Sequence, residues 1–584
     1  MKILIKHILV ASTLILLNCA KLLAQAPNIS YANSPASISR SAAVGTTPNP
    51  SLTITNSGGT VSTTFGYSST ATQPLIGGSF NNPARGAVDA AGNIYVASFS
   101  GNNISKFTSA GALVTNNYTS VGTLSSPSEI VFDSSGNMFV LNSTGTLLKY
   151  NSAGVFISSS TITVGGTTYG MCIAANNDIY ITSANGTGGT DRIVKFTSAL
   201  VQTSFTYANL NDPSEIGISA ANNLYVLNLG SGNITVCNTS GGNVAATFAT
   251  GYGTTGYGLA VDAINGYVYA ATNAASGTLR VYNVGTSNGA TAIATVTGVP
   301  NSYGLFLDGK GNVYIPNWVG NVVNRYRPSG QYFIDKTLPA GLSFSKTNGT
   351  ISGTATASTP PANYTVSGYN ATGGSTTVLN LNTFSNFIWD GSSNTSWTNT
   401  ANWAGNAVPG ANDRATIGNS QAYTNEPVIP TGTTINVGSI VLGTFDNSAS
   451  TITVNGTGVL NVNGDIIYQS DANSVTNNAF VGLISGTGTI NAINLKMTAN
   501  TGLSATYTLK LSSSITNLNI SGDISLTTTY ISARANNATF TISGGTVTAT
   551  DLITNNGANA AATSTLAMTS GTLNFTDPSA LAGL

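Results

Sequence analysis

Charged side chains are scarce in this sequence of 584 residues, at 7% of the total, against about 25% in ordinary soluble proteins. Lysine and arginine together number 19, as do aspartate and glutamate, so the formal net charge is zero. A chain without a net field is not steered toward nucleic acid or an anionic membrane, and we expect no nucleic-acid partner. A hydrophobic fraction of 41%, recurring in regular repeats, argues against disorder.

Histidine is nearly absent as well, because His7 is the one imidazole in the chain. Residues 1–26 have the pattern of a secretory signal, and their removal would leave no histidine at all. A mature chain of this composition excludes Ser-His-Asp triads, Cys-His dyads and His-bound zinc or iron. We therefore expect neither a metal nor another cofactor, and a secreted or cell-surface location.

The predicted leader combines a positive start with a short apolar run. Lys2 and Lys6 precede the apolar residues 8–17, and Ala24 and Ala26 offer small residues for cleavage. The apolar run is too short to cross a bilayer comfortably. No later segment has a transmembrane pattern, so no membrane span is expected after the leader is removed.

Six copies of one pattern dominate the first half of the chain. Each reads as an apolar strand, a tight turn and a second apolar strand, and the turns recur every 41–46 residues. The copies are GAVDAAGNIYV (86–96), IVFDSSGNMFV (130–140), MCIAANNDIYI (171–181), IGISAANNLYV (216–226), LAVDAINGYVYA (259–270) and LFLDGKGNVYI (305–315). This period is typical of a four-stranded propeller blade. Asp at the turn can accept a bond from the backbone two residues on.

A third strand follows each copy and ends in an aromatic residue or a cysteine that we expect between neighbouring blades. These residues are Phe107, Tyr150, Phe196, Cys237, Tyr282 and Tyr326. A fourth strand follows the first five copies, whereas the sixth leaves little room for one. We expect residues 61–68 to supply that strand and so close the ring, which removes exposed sheet edges. Cys172 and Cys237 fall in different blades and are expected as buried thiols.

These copies resemble NHL-type propeller repeats, in which "VD..GN.YV" is followed by "I.KF". The resemblance covers about 270 residues and implies a six-bladed β-propeller over 61–334. It says little about function, because such propellers serve binding, scaffolding and several enzyme activities.

Residues 338–375 resemble the second half of an immunoglobulin-like repeat of bacterial surface proteins. The matching words are LPAGL (338–342), GTISGT (349–354) and YTV (364–366). A first half is missing directly upstream and is found instead at 29–62. We therefore expect an Ig-like sandwich, formed by 27–60 and 335–384, with the propeller inserted in one loop, because adjacent propeller termini fit such an insertion.

The remaining residues, 385–584, begin with Trp389, Trp397 and Trp403 and continue with short alternating strands rich in Thr, Val, Asn and Gly. A loose period of about 20 residues predicts a parallel β-helix. The tryptophans are expected to cap its first rung, with a carbohydrate platform as the alternative. Because the pattern runs on to Leu584, we expect the chain to be a piece of a longer protein. The predicted fold is thus all-β throughout.

Candidate binding residues lie where each blade begins, at one mouth of the propeller channel. Three charges align there, and three tyrosines and one tryptophan accompany them. They are Arg85, Glu129, Glu215, Tyr169, Tyr257, Tyr303 and Trp318. Such a rim suits a glycan or a peptide of another surface protein. The alternative is that Arg85, Glu129 and Glu215 pair or cap the chain where the blades begin.

Three functions remain open on this basis. The first is a non-catalytic binding or adhesion protein, and the second is a passive surface stalk. The third is a propeller lyase or lactonase, which the lack of histidine and of a full carboxylate–amide metal set disfavours.

Overall fold

A computed structural model of the chain describes residues 25–577, apart from 48, 72–73, 76, 120–123, 164–165, 186–189, 206–209, 286–290, 419–422, 444–449, 470–478, 499–507, 528–536 and 556–563. Within these ranges the chain forms 48 β-strands and two 3-10 turns, at Gly253–Thr255 and Thr400–Asn402. The expected all-β fold is confirmed. The predicted leader falls almost wholly outside the described residues.

Three short strands come first, and 23 further strands then form six blades. The first three are β1 (Ile29–Tyr31), β2 (Ala36–Ser39) and β3 (Ile54–Asn56). The blades are β4 (Pro83–Val88), β5 (Ile94–Ser98), β6 (Asn103–Phe107) and β7 (Leu113–Thr115); β8 (Pro127–Phe132), β9 (Met138–Asn142), β10 (Thr146–Tyr150) and β11 (Phe156–Thr161); β12 (Thr167–Ile173), β13 (Ile179–Ala184), β14 (Arg192–Phe196) and β15 (Gln202–Phe205); β16 (Pro213–Ile218), β17 (Asn223–Asn228), β18 (Asn233–Asn238) and β19 (Asn243–Ala249); β20 (Gly256–Asp262), β21 (Tyr267–Thr272), β22 (Gly277–Asn283) and β23 (Ala294–Val299); and β24 (Phe306–Leu307), β25 (Val313–Asn317) and β26 (Val322–Tyr326).

The blades form a closed ring. Each is an antiparallel sheet in chain order, and its first strand contacts the first strand of the next blade. The last blade returns to the first, because β24 and β25 both contact β4. Six apolar clusters lie between successive blades. The residues predicted between blades are all buried within them: Phe107, Tyr150, Phe196, Cys237, Tyr282 and Tyr326.

The turn of each copy is built as its sequence predicts. Asp133 Oδ1 accepts bonds from the backbone N–H groups of Ser135 (3.0 Å) and Asn137 (2.8 Å). Its Oδ2 accepts from the Asn137 side chain at 2.8 Å. Gly136 adopts a φ of 79°, which an L side chain rarely takes. One aspartate thus holds a whole turn.

Replacing Asp133 with alanine should lower the free energy of unfolding by about 1–2 kcal/mol, because three hydrogen bonds to a charged acceptor are lost. Ser219→Ala is the matched control, since Ser219 at the equivalent turn makes one 3.2 Å bond to the Asn223 N–H. That control should cost no more than about 0.5 kcal/mol. Thermal unfolding of the full chain measures both. Equal losses in the two variants would contradict the role of Asp133.

Ring closure differs from the expectation that 61–68 forms a regular fourth strand. Over 61–68 the structure shows one isolated bridge, between Tyr67 and Pro328, and a second bridge further along the chain joins Leu75 to Val323 of the last blade. The reason is that the aromatic side chains of this segment pack against blade five and do not alternate as in a regular strand. Phe65 stacks on Tyr267 with ring centroids 4.6 Å apart, and the Tyr67 hydroxyl lies 3.0 Å from that of Tyr269. The segment therefore closes the ring through side chains more than through a ladder.

The strands that follow the propeller complete a sandwich with β1–β3. They are β27 (Tyr332–Ile334), β28 (Leu342–Phe344), β29 (Ile351–Gly353), β30 (Thr359–Tyr369) and β31 (Gly374–Phe384). One sheet has the order β2-β31-β30-β27, in which β2 pairs parallel to β31. The pairs β1-β3 and β28-β29 are linked by a bridge between Leu52 and Ile351. Both sides of the propeller thus contribute to one core, which includes Ile38, Val366 and Leu381.

The C-terminal strands stack in parallel as a β-helix. They are β32 (Asn386–Trp389), β33 (Arg414–Ile417), β34 (Val428–Ile429), β35 (Thr434–Val437), β36 (Ser439–Leu442), β37 (Ser450–Val454), β38 (Val459–Val462), β39 (Asp465–Gln469), β40 (Ala479–Ser485), β41 (Thr489–Ala492), β42 (Asn494–Thr498), β43 (Thr508–Ser513), β44 (Asn517–Ile520), β45 (Asp523–Thr527), β46 (Asn537–Ala549), β47 (Asp551–Asn555) and β48 (Ser564–Phe575). One face has the order β32-β33-β36-β39-β42-β45-β47, and the others join through the long β46.

Each rung is longer than the period of about 20 residues read from the sequence. The stacked positions Ile435, Leu460, Ile490 and Leu518 are 25, 30 and 28 residues apart. The cause is that a rung carries three strands, one for each face, as in β36, β37 and β38. The sequence shows a series of short strands, but it does not show whether each rung of the β-helix has two faces or three.

The tryptophans cap the β-helix. Trp389, Trp397 and Trp403 are at most 1% exposed and belong to the apolar core of the helix. Two indole N–H groups are satisfied, Trp403 by the Trp397 carbonyl at 2.8 Å and Trp389 by the Asn425 carbonyl at 2.7 Å. Because the rings are buried, they have no free face for a sugar. The tryptophans therefore cap the β-helix and do not form a carbohydrate platform.

Candidate functional site

The inner strand of every blade borders a central channel. A cavity of about 530 Å³ is lined by residues of β4, β8, β12, β16, β20 and β24, from Glu129 and Glu215 to Val88, Asp262 and Leu307, so it lies on the side where these strands end. Because the inner strands of all blades begin at the same end of the channel, their first residues lie at one mouth of the ring. The aligned positions at this mouth are Arg85, Glu129, Gly170, Glu215, Gly258 and Gly304. Three of the six positions therefore carry long charged side chains, and the other three carry glycine.

Arg85 lies across the channel mouth between the two glutamates. Its Nε is 3.4 Å from Glu129 Oε2, and its Nη2 pairs with Glu215 Oε1. All three residues are buried, with Arg85 only 1% exposed. The structure thus joins the three predicted charges into one cluster, which was the alternative that the sequence left open. They form the floor of the mouth and offer a ligand little direct contact.

Arg85 makes further contacts, some of them with blades that carry no charge at this level. Its Nη1 donates to the backbone carbonyls of Ser128 (3.5 Å) and Tyr169 (3.3 Å). Its guanidinium lies 5.4 Å from the ring centroid of Tyr303. Together with the two glutamates, these contacts join blade one to blades two, three, four and six. One side chain therefore ties most of the ring together at its centre.

The aligned glycines make room for these long side chains. A Cβ atom at Gly304 would lie 2.3 Å from Arg85 Cγ, and one at Gly170 would lie 2.7 Å from Glu215 Oε2. Both distances are shorter than van der Waals contact, so neither position admits a larger residue without a shift. The charged residues and the glycines at these positions were visible in the alignment of the repeats. The space that the glycines provide for the long side chains was not inferred there. Gly170 and Gly304 are thus part of the site.

Burial sets the protonation of the cluster. It raises the pKa of Glu129 to about 8, although Arg85 and the backbone N–H of Ile130 oppose the shift. Burial also lowers the pKa of Arg85, which Glu129 opposes. Glu215 lies directly against the guanidinium, whereas Glu129 Oε2 lies 3.4 Å from its Nε. At neutral pH, Glu129 is therefore mostly a neutral acid that can donate a proton.

Above this floor, four aromatic rings form a continuous arc. Tyr257 stacks on Tyr303 with centroids 5.5 Å apart, and Tyr303 stacks on Trp318 at 4.1 Å. Phe99 extends the row, with its centroid 5.1 Å from that of Trp318. All four are partly exposed. The structure thus assembles three of the predicted aromatic residues, and it adds Phe99, which aligns with Trp318 in the first blade.

Tyr169 lies near Tyr257 and Tyr303 of the arc and near Asp212, a carboxylate that the sequence did not single out. Its pKa is raised by burial and by the charge of Asp212, which raises the pKa of Tyr257 as well. The backbone N–H of Asp212 donates to Asp191 Oδ2 at 2.8 Å. The one signal for Asp212 was its place directly before Pro213, at the start of a blade. The mouth thus combines an aromatic side with an acidic side.

Other chemistry is sparse in the described part of the chain. No group of three or more His, Cys, Asp or Glu side chains there is placed to hold a metal ion. Cys172 and Cys237 are buried free thiols, as expected, and burial raises the pKa of both. Among the same residues, no helix is long and apolar enough to cross a membrane.

Comparison with known proteins identifies one domain family. The family described as "Putative Ig domain" matches residues 316–383, a range that contains the Ig-like words at 338–375 and begins in the last blade. No curated protein matches the chain by sequence. The chain therefore contains an Ig-like domain.

Solved structures similar to the chain include several enzymes. A streptogramin B lyase is 13% identical, with 44% of this chain and 97% of that chain covered and a TM-score of 0.34. Virginiamycin B lyase from Staphylococcus aureus is 14% identical, with 47% and 94% covered and a TM-score of 0.31. A gluconolactonase from Xanthomonas campestris is 10% identical, with 52% and 94% covered and a TM-score of 0.32. Likeness at this level assigns no activity to the chain.

Proposed function

We propose that the protein is exported to the bacterial cell surface or beyond, and that the aromatic mouth of its propeller binds a glycan without transforming it. The observation that carries this proposal is the arc of stacked rings formed by Phe99, Trp318, Tyr303 and Tyr257. Partly exposed aromatic faces suit the C–H face of a sugar ring, while polar groups beside them suit its hydroxyls.

The surroundings of the arc support an uncharged ligand. The Arg85 cluster beneath it is balanced within itself, so it attracts neither an anion nor a cation strongly. Asp191 and Asp212 at the acidic side can accept bonds from hydroxyl groups. The chain has no net charge to steer a charged partner. A neutral oligosaccharide, free or carried by another surface protein, meets these conditions.

Replacing Trp318 with alanine should weaken glycan binding by roughly tenfold or more, because truncating an anchor in a binding patch typically costs at least about 1–2 kcal/mol. Neutral oligosaccharides that bind the full chain on an array would be titrated by calorimetry against both proteins. Tyr303→Ala should act in the same direction.

Phe156→Ala is the matched control, since Phe156 is a partly exposed aromatic residue on the outer strand β11. It should leave the affinity unchanged. Equal effects of Trp318→Ala and Phe156→Ala would contradict a site at the mouth. A complete lack of glycan binding would favour the passive stalk instead.

One observation favours a second candidate, a propeller enzyme that uses acid catalysis. Glu129 borders the channel cavity and, with a pKa raised to about 8 by burial, keeps its proton at neutral pH. A general acid near its operating pH needs that property. Turnover of a lactone or a cyclic ester by the wild-type protein, lost in Glu129→Gln, would establish this candidate over simple binding.

A further inference from the structure

A second cleft lies where the sandwich meets the β-helix. Its volume is about 490 Å³, within the range of about 300–1,000 Å³ that is typical of ligand sites. Pro360 and Pro361 of β30 line one wall, and Arg414, Asp465 and Lys496 of the β-helix line the other. Three charged residues thus share one cleft in a chain that has few charges.

The junction beneath the cleft is held by direct contacts. Only Ser385 separates β31 from β32. Asp413 Oδ1 accepts bonds from the Ser385 backbone N–H (3.1 Å) and the Ser358 hydroxyl (2.6 Å). The Arg414 N–H donates to the Ser385 carbonyl at 2.8 Å. The two walls are therefore fixed relative to each other, and the cleft is a preformed feature.

Two of the three charges neutralise each other. Lys496 Nζ lies 2.5 Å from Asp465 Oδ2, and the Asn494 side chain donates to Asp465 Oδ1 at 2.8 Å. Both carboxylate oxygens are thereby engaged. Within the described part of the chain, no ion pair involves Arg414, whose one hydrogen bond from the side chain runs from Nε to the Ser439 hydroxyl at 3.4 Å. The cleft is left with one uncompensated positive charge.

The guanidinium of Arg414 is held in place and partly desolvated. Its Cζ lies 3.9 Å from the ring centroid of Phe384, so one face stacks on an aromatic ring. Burial lowers the pKa of Arg414 to about 10, and Asp465 opposes that shift. A fixed guanidinium with free N–H donors can bind a carboxylate in a bidentate manner. An anion would also relieve the cost of burying this cation.

The rest of the lining suits a sugar ring that bears the carboxylate. Asn382 accepts a bond from the Ser37 hydroxyl at 2.6 Å through its oxygen, which leaves its NH₂ group for a ligand. Asn380 and Asn412 line the same cleft. The two prolines present flat apolar surfaces on which the C–H face of a pyranose can pack.

We propose that this cleft binds the uronic acid residues of an acidic glycan, with Arg414 as the anchor of the sugar carboxylate. The site is separate from the propeller mouth, and the proposal does not depend on the function assigned to that mouth. The asparagines orient the ring hydroxyls, and the Asp465–Lys496 pair limits the site to a single net positive charge.

Calorimetry with the full chain and trigalacturonate, compared with neutral galactotriose, tests the proposal. We expect trigalacturonate to bind at least about tenfold more tightly than the neutral sugar, and Arg414→Gln to remove most of that difference. Arg40→Gln is the matched control, because Arg40 bonds to the Ser385 hydroxyl at the same junction but does not line the cleft. Both titrations are made in the Trp318→Ala background, so that the propeller mouth contributes little, and Arg40→Gln should leave the affinity for trigalacturonate unchanged.

A second variant guards against misfolding of Arg414→Gln. Ile493 lines the cleft and is 43% exposed, so Ile493→Glu places a negative charge at the rim without disturbing the core. It should weaken trigalacturonate binding several-fold and leave the melting temperature unchanged. Equal affinity for the acidic and the neutral sugar, or no binding of trigalacturonate up to about 10 mM, would overturn the proposal. So would unaltered binding by both Arg414→Gln and Ile493→Glu.

Discussion

Replacing Arg85 with alanine is expected to lower the free energy of unfolding of the propeller by about 3–5 kcal/mol, because it removes one partner of the buried Arg85–Glu215 ion pair. Arg85 is 1% exposed and contacts both Glu129 and Glu215. It also bonds to the backbone of two other blades. Differential scanning calorimetry of the full chain would measure the loss, and hydrogen exchange would show whether it lies in the propeller.

Two comparison variants separate charge from packing. Arg40→Ala removes an exposed arginine and should change stability by no more than about 0.5 kcal/mol. The triple variant Arg85→Met, Glu129→Gln and Glu215→Gln removes all charge from the cluster and should recover most of the loss, because a neutral cluster carries no unpaired ion. If the triple variant is as unstable as Arg85→Ala, the explanation through an unpaired carboxylate is wrong.

The stability of the propeller should fall by roughly 1.4 kcal/mol per pH unit between about pH 5 and pH 7.5 on account of Glu129. Burial raises the pKa of Glu129 to about 8 in the folded protein, from about 4.3 in an unfolded chain. In that interval the folded state holds a proton that the unfolded state has released, so rising pH favours unfolding. This stabilisation is complete below the unfolded pKa and is lost as the pH passes the folded pKa.

Glu129→Gln isolates this contribution, because glutamine keeps the shape of the neutral acid. Burial also raises the pKa of Asp262 and Asp308, so the difference between wild type and variant is the quantity to follow. Because His7 is the single histidine in the chain, few other side chains titrate in the neutral range. The variant should match the wild type near pH 5 and exceed it in stability at pH 8. Parallel pH profiles of the two proteins would rule out a buried neutral Glu129.

The architecture of the propeller was predictable because its signals are local. A strand, an Asp-led turn such as that at Asp133 and a second strand depend on residues within a few positions of one another. Their period of 41–46 residues then indicated blades. The closing segment was predicted less well, because Phe65 and Tyr67 pack against blade five, and a strand pattern does not reveal that partner.

The candidate site was predictable as a set of positions but not as a set of roles. The alignment placed Arg85, Glu129 and Glu215 at one mouth, yet a ligand rim and a buried ion cluster have the same sequence pattern. The decisive fact is their depth, which follows from how far six inner strands converge. The arc from Phe99 to Tyr257 likewise needs the first and last blades to meet.

The sequence by itself determined the strands, the turns, the repeats and the near absence of histidine and charge, because these are properties of composition and of neighbouring residues. Tertiary structure alone decided that Arg85 would pair with Glu215, 130 positions away, and that Arg414 would face the cleft beside Pro361 with no ion pair among the described residues. Burial and pairing depend on which surfaces meet when the ring closes and the sandwich docks on the β-helix. The chemistry of both candidate sites is set at that stage.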